Sequence, residues 1–330
     1  MASTGFGSVI CPRMAVTVFD GSAFATPELR DVGPLDLHPA SHVLHYGSSC
    51  FEGLKAHRGH DGTVRLFRVD RHAQRMTVSA ELLCLPVPPP ETLTAMIRDV
   101  VAANLDEVPA PPGALYLRPV LIGTERNIGA AAQPSSTALL YVLASPVGEY
   151  FDSSRALTVA IETTVPRTTR QFGRVKAGAN YAMALGITRH AREQHGADQV
   201  LFAPDGDVQE TGASNFLVID GDRIVTRALD ESFLHGVTRD SVLTLAAESG
   251  YEIEERDVHV DELVDRAADV EMTLSGTAAV LAPVGTLVHD GQRITVGDGG
   301  PGTRTTKLRE SLLAIQRAEA PDRWGWTTPV

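Results

Sequence analysis

The sequence predicts a two-domain protein of mixed class, α+β or α/β, and three observations predict it. A chain of 330 residues is long for a single hydrophobic core. Runs of β-formers alternate with segments of helical period along its length. Near the middle, Ser145-Pro146-Val147-Gly148 places turn residues inside a run of apolar β-formers. That break sets the expected domains at residues 1–145 and 156–330, with a linker over 146–155. Composition agrees, since 43% hydrophobic and 21% charged residues describe an ordinary globular chain.

In order along the chain, Val16 to Phe19 reads as a strand closed by an Asp20-Gly21 turn. Ser41 to Gly53 is apolar with small residues and reads as helical or tightly packed. Val64 to Phe67 reads as a strand, and Asp70 as the N-cap of a helix reaching about Leu83. Pro86, Pro88, Pro89 and Pro90 break the chain before a helix in which Leu93, Met96, Ile97, Val100 and Val101 share one face. Strands over Leu115 to Ile122 and Ala138 to Ala144 follow. The second half opens with a strand near Leu157 to Thr163. A helix from about Asn180 to His195 ends at Gly196, an αL cap. Val200 to Ala203 is a strand, Pro204-Asp205-Gly206 a turn, and Asn215 to Ile219 pairs with Arg223 to Thr226 through Asp220-Gly221. Thr238 caps a helix ending at Gly250. A short helix near Asp261, a strand over Val270 to Leu274, a hairpin around Asp290-Gly291 and a helix from Thr303 to Ala318 complete the chain.

Charge and cysteine content narrow the function classes. A net charge of −12 argues against a nucleic-acid or anionic-membrane surface. Cys11, Cys50 and Cys84 are far apart and odd in number, so neither a disulfide framework nor a zinc finger is expected. His38, His42 and His45 are spaced for one helical face, but Pro39 interrupts the turn and no further ligand completes a metal set. No metal is expected. No apolar run is long enough to span a membrane, and the first residues lack the order of a signal peptide, whether translation begins at Met1 or Met14. The expected compartment is the cytoplasm. A Gly-x-Ser-x-Gly elbow and a Walker loop are both absent.

Chemistry concentrates in the second half. A lone lysine is usually a solvated surface residue. Lys176, however, lies in Lys176-Ala177-Gly178-Ala179-Asn180-Tyr181, where small neighbours admit a bulky planar group. Gln209-Glu210-Thr211 puts a carboxylate at the head of the next hairpin. An amine and a carboxylate in such an arrangement suit an aldehyde cofactor, the amine as Schiff-base partner and the acid on a ring nitrogen. His235-Gly236-Val237-Thr238 opens a helix whose N–H groups and dipole suit a phosphate, although a plain N-cap reads equally well. Ser275-Gly276-Thr277-Ala278-Ala279 is a second small-residue turn able to aim N–H groups at an anion.

Together these segments resemble the fold-type IV pyridoxal-phosphate enzymes, and most closely the branched-chain aminotransferases. The resemblance runs from about Val16 to Trp326. It rests on Tyr46-Gly-Ser-Ser-Cys-Phe-Glu-Gly-Leu-Lys55, Arg65-Leu-Phe-Arg68, Tyr116-Leu-Arg-Pro119, Leu140-Tyr-Val-Leu-Ala-Ser-Pro-Val-Gly148, the Lys176 motif, Glu210, Gly236-Val-Thr-Arg-Asp240 and Ser275-Gly-Thr-Ala278. It implies a small α/β domain and a larger one with a barrel-like core that binds pyridoxal 5′-phosphate. It implies that Lys176 forms the Schiff base and shuttles a proton between the substrate Cα and the cofactor. Glu210 would meet the ring nitrogen and Tyr181 the phenolic oxygen. Arg75, Gly236, Val237, Thr238, Gly276 and Thr277 would hold the phosphate. Thr277, Ala278, Tyr116 and Arg118 would receive the substrate carboxylate, and Tyr46 and Phe51 would wall the side-chain pocket. A loop at Gly123 to Gly129 would reach a neighbouring subunit, so a homodimer is implied. The implied reaction moves an amino group between L-leucine, isoleucine or valine and 2-oxoglutarate.

The chain departs from the family pattern in two places. Gln171-Phe172-Gly173-Arg174-Val175 stands where a Gly-Gly-Thr-Gly segment is usual, and Arg126-Asn127 brings charge to the loop. Phe172, Arg174 and Arg126 therefore point to an altered side-chain preference, unusual or acidic, as in a specialised biosynthetic pathway. An aminodeoxychorismate lyase, a D-amino-acid transaminase and a non-catalytic cofactor-binding protein are the alternatives on the same fold.

Overall fold

A computed structural model describes residues 6–148 and 155–330. Its elements in chain order begin with β1 (Arg13–Phe19), β2 (Glu28–Asp31), α1 (His42–Tyr46), β3 (Ser49–Phe51), β4 (Leu54–Arg58), β5 (Val64–Phe67), α2 (Val69–Leu82), α3 (Pro90–Ala103), β6 (Ala114–Gly123) and β7 (Ala138–Val147). They continue with β8 (Leu157–Glu162), α4 (Gly178–His195), β9 (Gln199–Phe202), β10 (Glu210–Thr211), β11 (Asn215–Asp220), β12 (Arg223–Thr226), α5 (Val237–Glu248) and β13 (Glu252–Glu255). Last come α6 (Val260–Arg266), β14 (Glu271–Gly276), β15 (Val280–His289), β16 (Gln292–Thr295), α7 (Thr303–Gln316) and β17 (Thr327–Pro329). Two compact units result: one of Met1–Gly148, Val175–Gly178 and Ala314–Val330, the other of Glu149–Arg174 and Ala179–Leu313. The expected linker over 146–155 lies mostly outside the described residues.

The first unit is an antiparallel sheet in the order β17-β5-β4-β6-β7-β1-β2, with β3 also paired to β6. Its strands alternate as half-buried strands must. Leu115, Leu117 and Leu121 of β6 enter the core shared with Met76, Leu93, Met96 and Ile97 of α2 and α3. The face one residue out of step carries Tyr116 and Arg118, and further along Ile122 packs with Met14, Val16 and Leu139. The proline cluster starts α3 at Pro90, the position where a missing N–H costs nothing. Its apolar stripe is buried as the spacing predicts.

The second unit is a closed barrel in the order β10-β9-β8-β15-β14-β11, with β10 returning to β11. β12 and β13 extend it from β11, and β16 from β15. Leu157, Val159, Leu201, Phe216, Met272, Leu274 and Val284 build its core. This is the fold class that the sequence resemblance implied.

Local expectations required correction in four places. Ser41 to Gly53 is not one helix: α1 ends at Gly47 in an αL cap, and β3 follows. The chain reverses there to pair Ser49–Phe51 with β6. Asp70 does not cap α2. The Arg68 N–H is donated to the Trp326 carbonyl at 2.7 Å, and Arg68, in the left-handed region at φ 52°, is the cap residue, while Asp70 sits in the first turn. Ser145, Pro146 and Val147 are strand rather than turn, because β6 pairs with them directly. The ladder between β1 and β7 ends at Val142, which leaves Pro146 where a missing donor is tolerated. Thr238 does not cap α5: Gly236 holds that position, and the Asn215 side chain lies so close to it that any Cβ there would collide. The strands β2, β4, β13 and β17 were not foreseen; all are short, and β2, β13 and β17 sit at the ends of their sheets.

Candidate active site

The predicted residues fall into separate groups within the two units. In the first unit the backbone of Lys176 is fixed on both sides. Its N–H is donated to Ser79 Oγ of α2 at 3.1 Å, and its carbonyl accepts from the Phe51 N–H of β3 at 3.0 Å. Cys50 and Ala177 form an isolated antiparallel bridge alongside. The Lys176 Nζ stands 5.1 Å from the centroid of Phe51, and the Arg118 guanidinium lies over the same ring at 4.4 Å. Arg118 donates to the Tyr116 hydroxyl at 2.9 Å, and Tyr116 in turn lies so close over Gly53 that only glycine fits there. Lys176, Phe51, Arg118 and Tyr116 thus form one continuous cluster.

Behind Phe51, the fully buried Glu52 takes the Arg75 fork on both oxygens, at 2.7 and 2.8 Å. His72 Nδ1 meets the same carboxylate at 2.7 Å. Burial alone would raise the Glu52 carboxyl, but Arg75 and then His72 outweigh it and hold it well below the usual carboxylate range. Burial, with Arg75 and Lys176 nearby, pushes the His72 imidazole down against the pull of Glu52. A carboxylate paired with a neutral imidazole can only accept, so His72 Nδ1 carries the proton. Arg75 is therefore held in one orientation on α2.

Tyr46 and Arg126 belong to a separate group in the same unit. Arg126 bridges Ser41, Asn127 N–H is donated to the Ala40 carbonyl at 3.1 Å, and the Tyr46 hydroxyl is donated to the Ile128 carbonyl. His42 links Ser48 to the Gln133 carbonyl, at 2.8 and 3.1 Å. The loop between β6 and β7 is thereby fastened to residues 38–46. His38 lies outside α1, and no metal-binding cluster occurs among the described residues.

In the second unit Glu210 heads β10 and is buried. Arg167 pairs with its Oε1 at 2.5 Å, both side chains being 3% exposed, and the Leu234 N–H is donated to the same oxygen at 3.0 Å. The Arg167 guanidinium also lies 5.9 Å from the ring centroid of Tyr181. Asn215 Nδ2 is donated to the Leu234 carbonyl at 2.8 Å and approaches Glu210 Oε2 at 3.5 Å. Asn215 thus ties Glu210 to the turn that opens α5. Val237 and Thr238 occupy the first turn of that helix, where N–H groups have no intrahelical acceptor. Opposite Asn215 in the ladder is Ser275, whose buried hydroxyl has no partner, and Gly276, Thr277 and Ala278 continue from it into the turn before β15.

The atypical segment before Lys176 is firmly held. Asn180 accepts from Thr168 and donates to the Phe172 carbonyl, each at 2.9 Å. Gly173 abuts the Ser232 backbone so closely that no side chain fits. Arg174 Nε is buried without a partner. Burial and the nearby Arg174 charge push the His235 imidazole down, opposed by its bond to the Asp230 carbonyl.

Sequence reading missed Glu52, Arg167, Asn215 and Tyr141. Glu52 lay within a quoted motif, where a carboxylate among apolar neighbours was the only signal. Tyr141 faces Val120 across the β6–β7 ladder, and burial raises its hydroxyl pKa against the lowering effect of Arg118. Arg167 has no local signal, because Glu210 is remote from it in the sequence, and Asn215 donates to a carbonyl 19 residues on, that of Leu234.

Residues 49–287 match the family model described as Amino-transferase class IV. The chain is 37% identical over 313 residues to the chloroplastic branched-chain amino acid aminotransferase 2 of Humulus lupulus, covering 93% of this chain and 75% of that protein. It is 36% identical over 343 residues to the branched-chain-amino-acid aminotransferase of Mycolicibacterium smegmatis, covering 99% and 92%. A solved structure of the T.th. branched-chain amino acid aminotransferase complexed with N-(5′-phosphopyridoxyl)-L-glutamate superposes with a TM-score of 0.78 at 26% identity, covering 97% of this chain and 99% of that one.

Proposed function

The chain belongs to the class IV aminotransferases, and within them to the branched-chain-amino-acid aminotransferases; on that premise we propose that it moves the amino group of L-leucine, isoleucine or valine to 2-oxoglutarate with pyridoxal 5′-phosphate. The observation that carries this reading is near-complete alignment with proteins of that name. The phosphopyridoxyl-glutamate bound by a structural relative supports both cofactor and acceptor.

The residues present fit the cofactor. The buried, unpartnered Ser275 hydroxyl and the open first turn of α5 offer donors to a phosphate. When bound, the cofactor supplies an electrophilic carbon and a ring that accepts the electrons of the substrate Cα–H bond. Lys176 Nζ, beside Phe51, would hold and return the Cα proton. Glu210, fixed by Arg167 and Leu234, would grip the ring nitrogen, and Tyr181 the phenolic oxygen. Arg75, locked by Glu52, would join Gly236, Val237, Thr238, Gly276 and Thr277 on the phosphate. Tyr116, Arg118, Thr277 and Ala278 would orient the substrate carboxylate, with Phe51 and Tyr46 walling its side chain. A homodimer and a reducing cytoplasm complete the proposal.

The test is transamination of the three branched amino acids with 2-oxoglutarate, together with a visible absorbance that borohydride traps. Lys176→Ala should lose the trapped species and about 10²–10⁴-fold in rate; an unaffected rate would refute the assignment. Pyruvate release without an acceptor would identify a lyase, and a D-configured product the D-enzyme. A second reading, preference for an acidic side chain, is favoured by the unpartnered Arg174 Nε. Full activity on leucine, isoleucine and valine would remove it.

A further inference from the structure

Lys176 belongs to an extended stretch whose side chains alternate: Val175 and Ala177 are buried, and Lys176 between them is half-buried. That stretch is a rung between β3 and α2. On one side the Phe51 N–H is donated to the Lys176 carbonyl at 3.0 Å, and Cys50 pairs with Ala177. On the other, the Lys176 N–H is donated to Ser79 Oγ of α2 at 3.1 Å, a bond between residues 97 apart in the chain. Ser79 is fully buried. It follows Arg75 by four residues, and side chains at that spacing stand one above the other on a helix face. Arg75 is locked on Glu52, the residue after Phe51. One face of α2 thus holds the end of β3 through Arg75 and the lysine stretch through Ser79.

We propose that Ser79 is a positioning residue for Lys176: its hydroxyl fixes where along α2 the lysine backbone sits, and so the point from which Nζ reaches the cofactor aldehyde and the substrate Cα. The inference rests on the reading of Lys176 given above. Of these two backbone bonds, the one to Phe51 is made by main chain and survives any side-chain change. The one to Ser79 ends on a hydroxyl, so a single substitution removes that acceptor and leaves the pairing with β3 in place. Residue 176 is then secured to β3 but no longer to α2. A small displacement of its backbone carries Nζ with it, and bond formation and proton transfer fall off steeply with such misplacement. Ser79 acts through this N–H, whereas the hold on the phosphate belongs to Arg75 one turn earlier.

The experiment strips the full chain of cofactor, returns pyridoxal 5′-phosphate and follows the rise of the visible band that borohydride traps. Ser79→Ala should slow that rise about two- to ten-fold, the effect of losing one hydrogen bond. It should lower kcat for leucine by a similar factor at a KM near the parent's. Binding of pyridoxine 5′-phosphate, which carries the phosphate but no aldehyde, should match the parent's, because Arg75 stays on Glu52. Ser79→Cys, with a weaker acceptor, should fall between parent and alanine variant. Met76→Leu, which repacks the same helix against Cys50, should leave the rise unchanged. In the cofactor-free chain, amide exchange over residues 175–178 should be faster in Ser79→Ala than in the parent. A Ser79→Ala band that rises as fast as the parent's, or an equal slowing in Met76→Leu, overturns the inference and leaves the proposed function intact. A parent chain that forms no trappable band overturns both.

Discussion

Arg167 and Glu210 are each 3% exposed and each depends on the other. A buried ion pair adds little over a well-packed apolar pair, but removing one partner strands a charge in a poorly polarisable interior. Arg167→Ala should therefore cost about 3–5 kcal/mol in chemical denaturation, and Arg167→Lys less. If the alanine variant is as stable as the parent, Glu210 has another counter-charge. His57 offers a second test at this scale. Both ring nitrogens are buried without partners, and burial, then Lys55 and Arg317, pushes its pKa down to about 3. A histidine with a depressed folded pKa binds fewer protons folded than unfolded. Its contribution is present above about 6.5 and is lost as pH falls toward 3. His72 and His235, also lowered, add in the same direction. The depressed Glu52 carboxyl acts in a lower window, below its ordinary value of 4.5. His57→Gln should consequently flatten the fall of the urea midpoint between about pH 6.5 and 4.5; an unchanged slope would count against a neutral buried imidazole.

Helices and turns carry their own predictions. Met96 of α3 is fully buried among core residues, so Met96→Ala should cost about 2–5 kcal/mol through lost burial and the cavity left behind. Gly236 is a different case, because its environment excludes even a methyl group. A Cβ there meets Asn215, and Asn215 secures the turn carrying the Leu234 bonds to Glu210. Gly236→Ala should shift the start of α5, at about 1–3 kcal/mol for the overpacking. It should weaken pyridoxal 5′-phosphate retention on dialysis more than it lowers the thermal midpoint. Retention equal to the parent's would place the phosphate elsewhere.

At the scale of the molecule, the chain end returns to the first unit. β17 pairs with β5, and Trp326 packs edge-on against Phe67 at 5.9 Å, under Arg68 at 5.0 Å, and stacked on Trp324 at 4.3 Å. Deleting residues 321–330 would expose β5 as a new sheet edge. The expected result is aggregation on heating and a lower unfolding midpoint; an unaffected midpoint would show the end strand to be dispensable. Assembly is tested at the loop fastened to residues 38–46, where Ile128 is 67% exposed and Leu44 59%. Ile128→Asp should shift the proposed dimer to monomer in light scattering, and an unchanged mass would place the interface elsewhere.

Several features were legible in the residues alone. The 3.6-residue stripe of α3, the αL stop at Gly196, the Lys176 motif, the hairpin led by Glu210 and the mixed fold class all rest on short-range periodicity or on contiguous motifs. Such signals survive without knowledge of neighbours. The rest depended on partners far along the chain. Arg167 acquires its meaning from Glu210, Gly236 from Asn215, Arg75 from Glu52, and Arg68, which caps α2 in place of Asp70, is bonded to the Trp326 carbonyl. Burial makes these pairings decisive, since a charge or a donor removed from water must find its partner wherever the fold has put it.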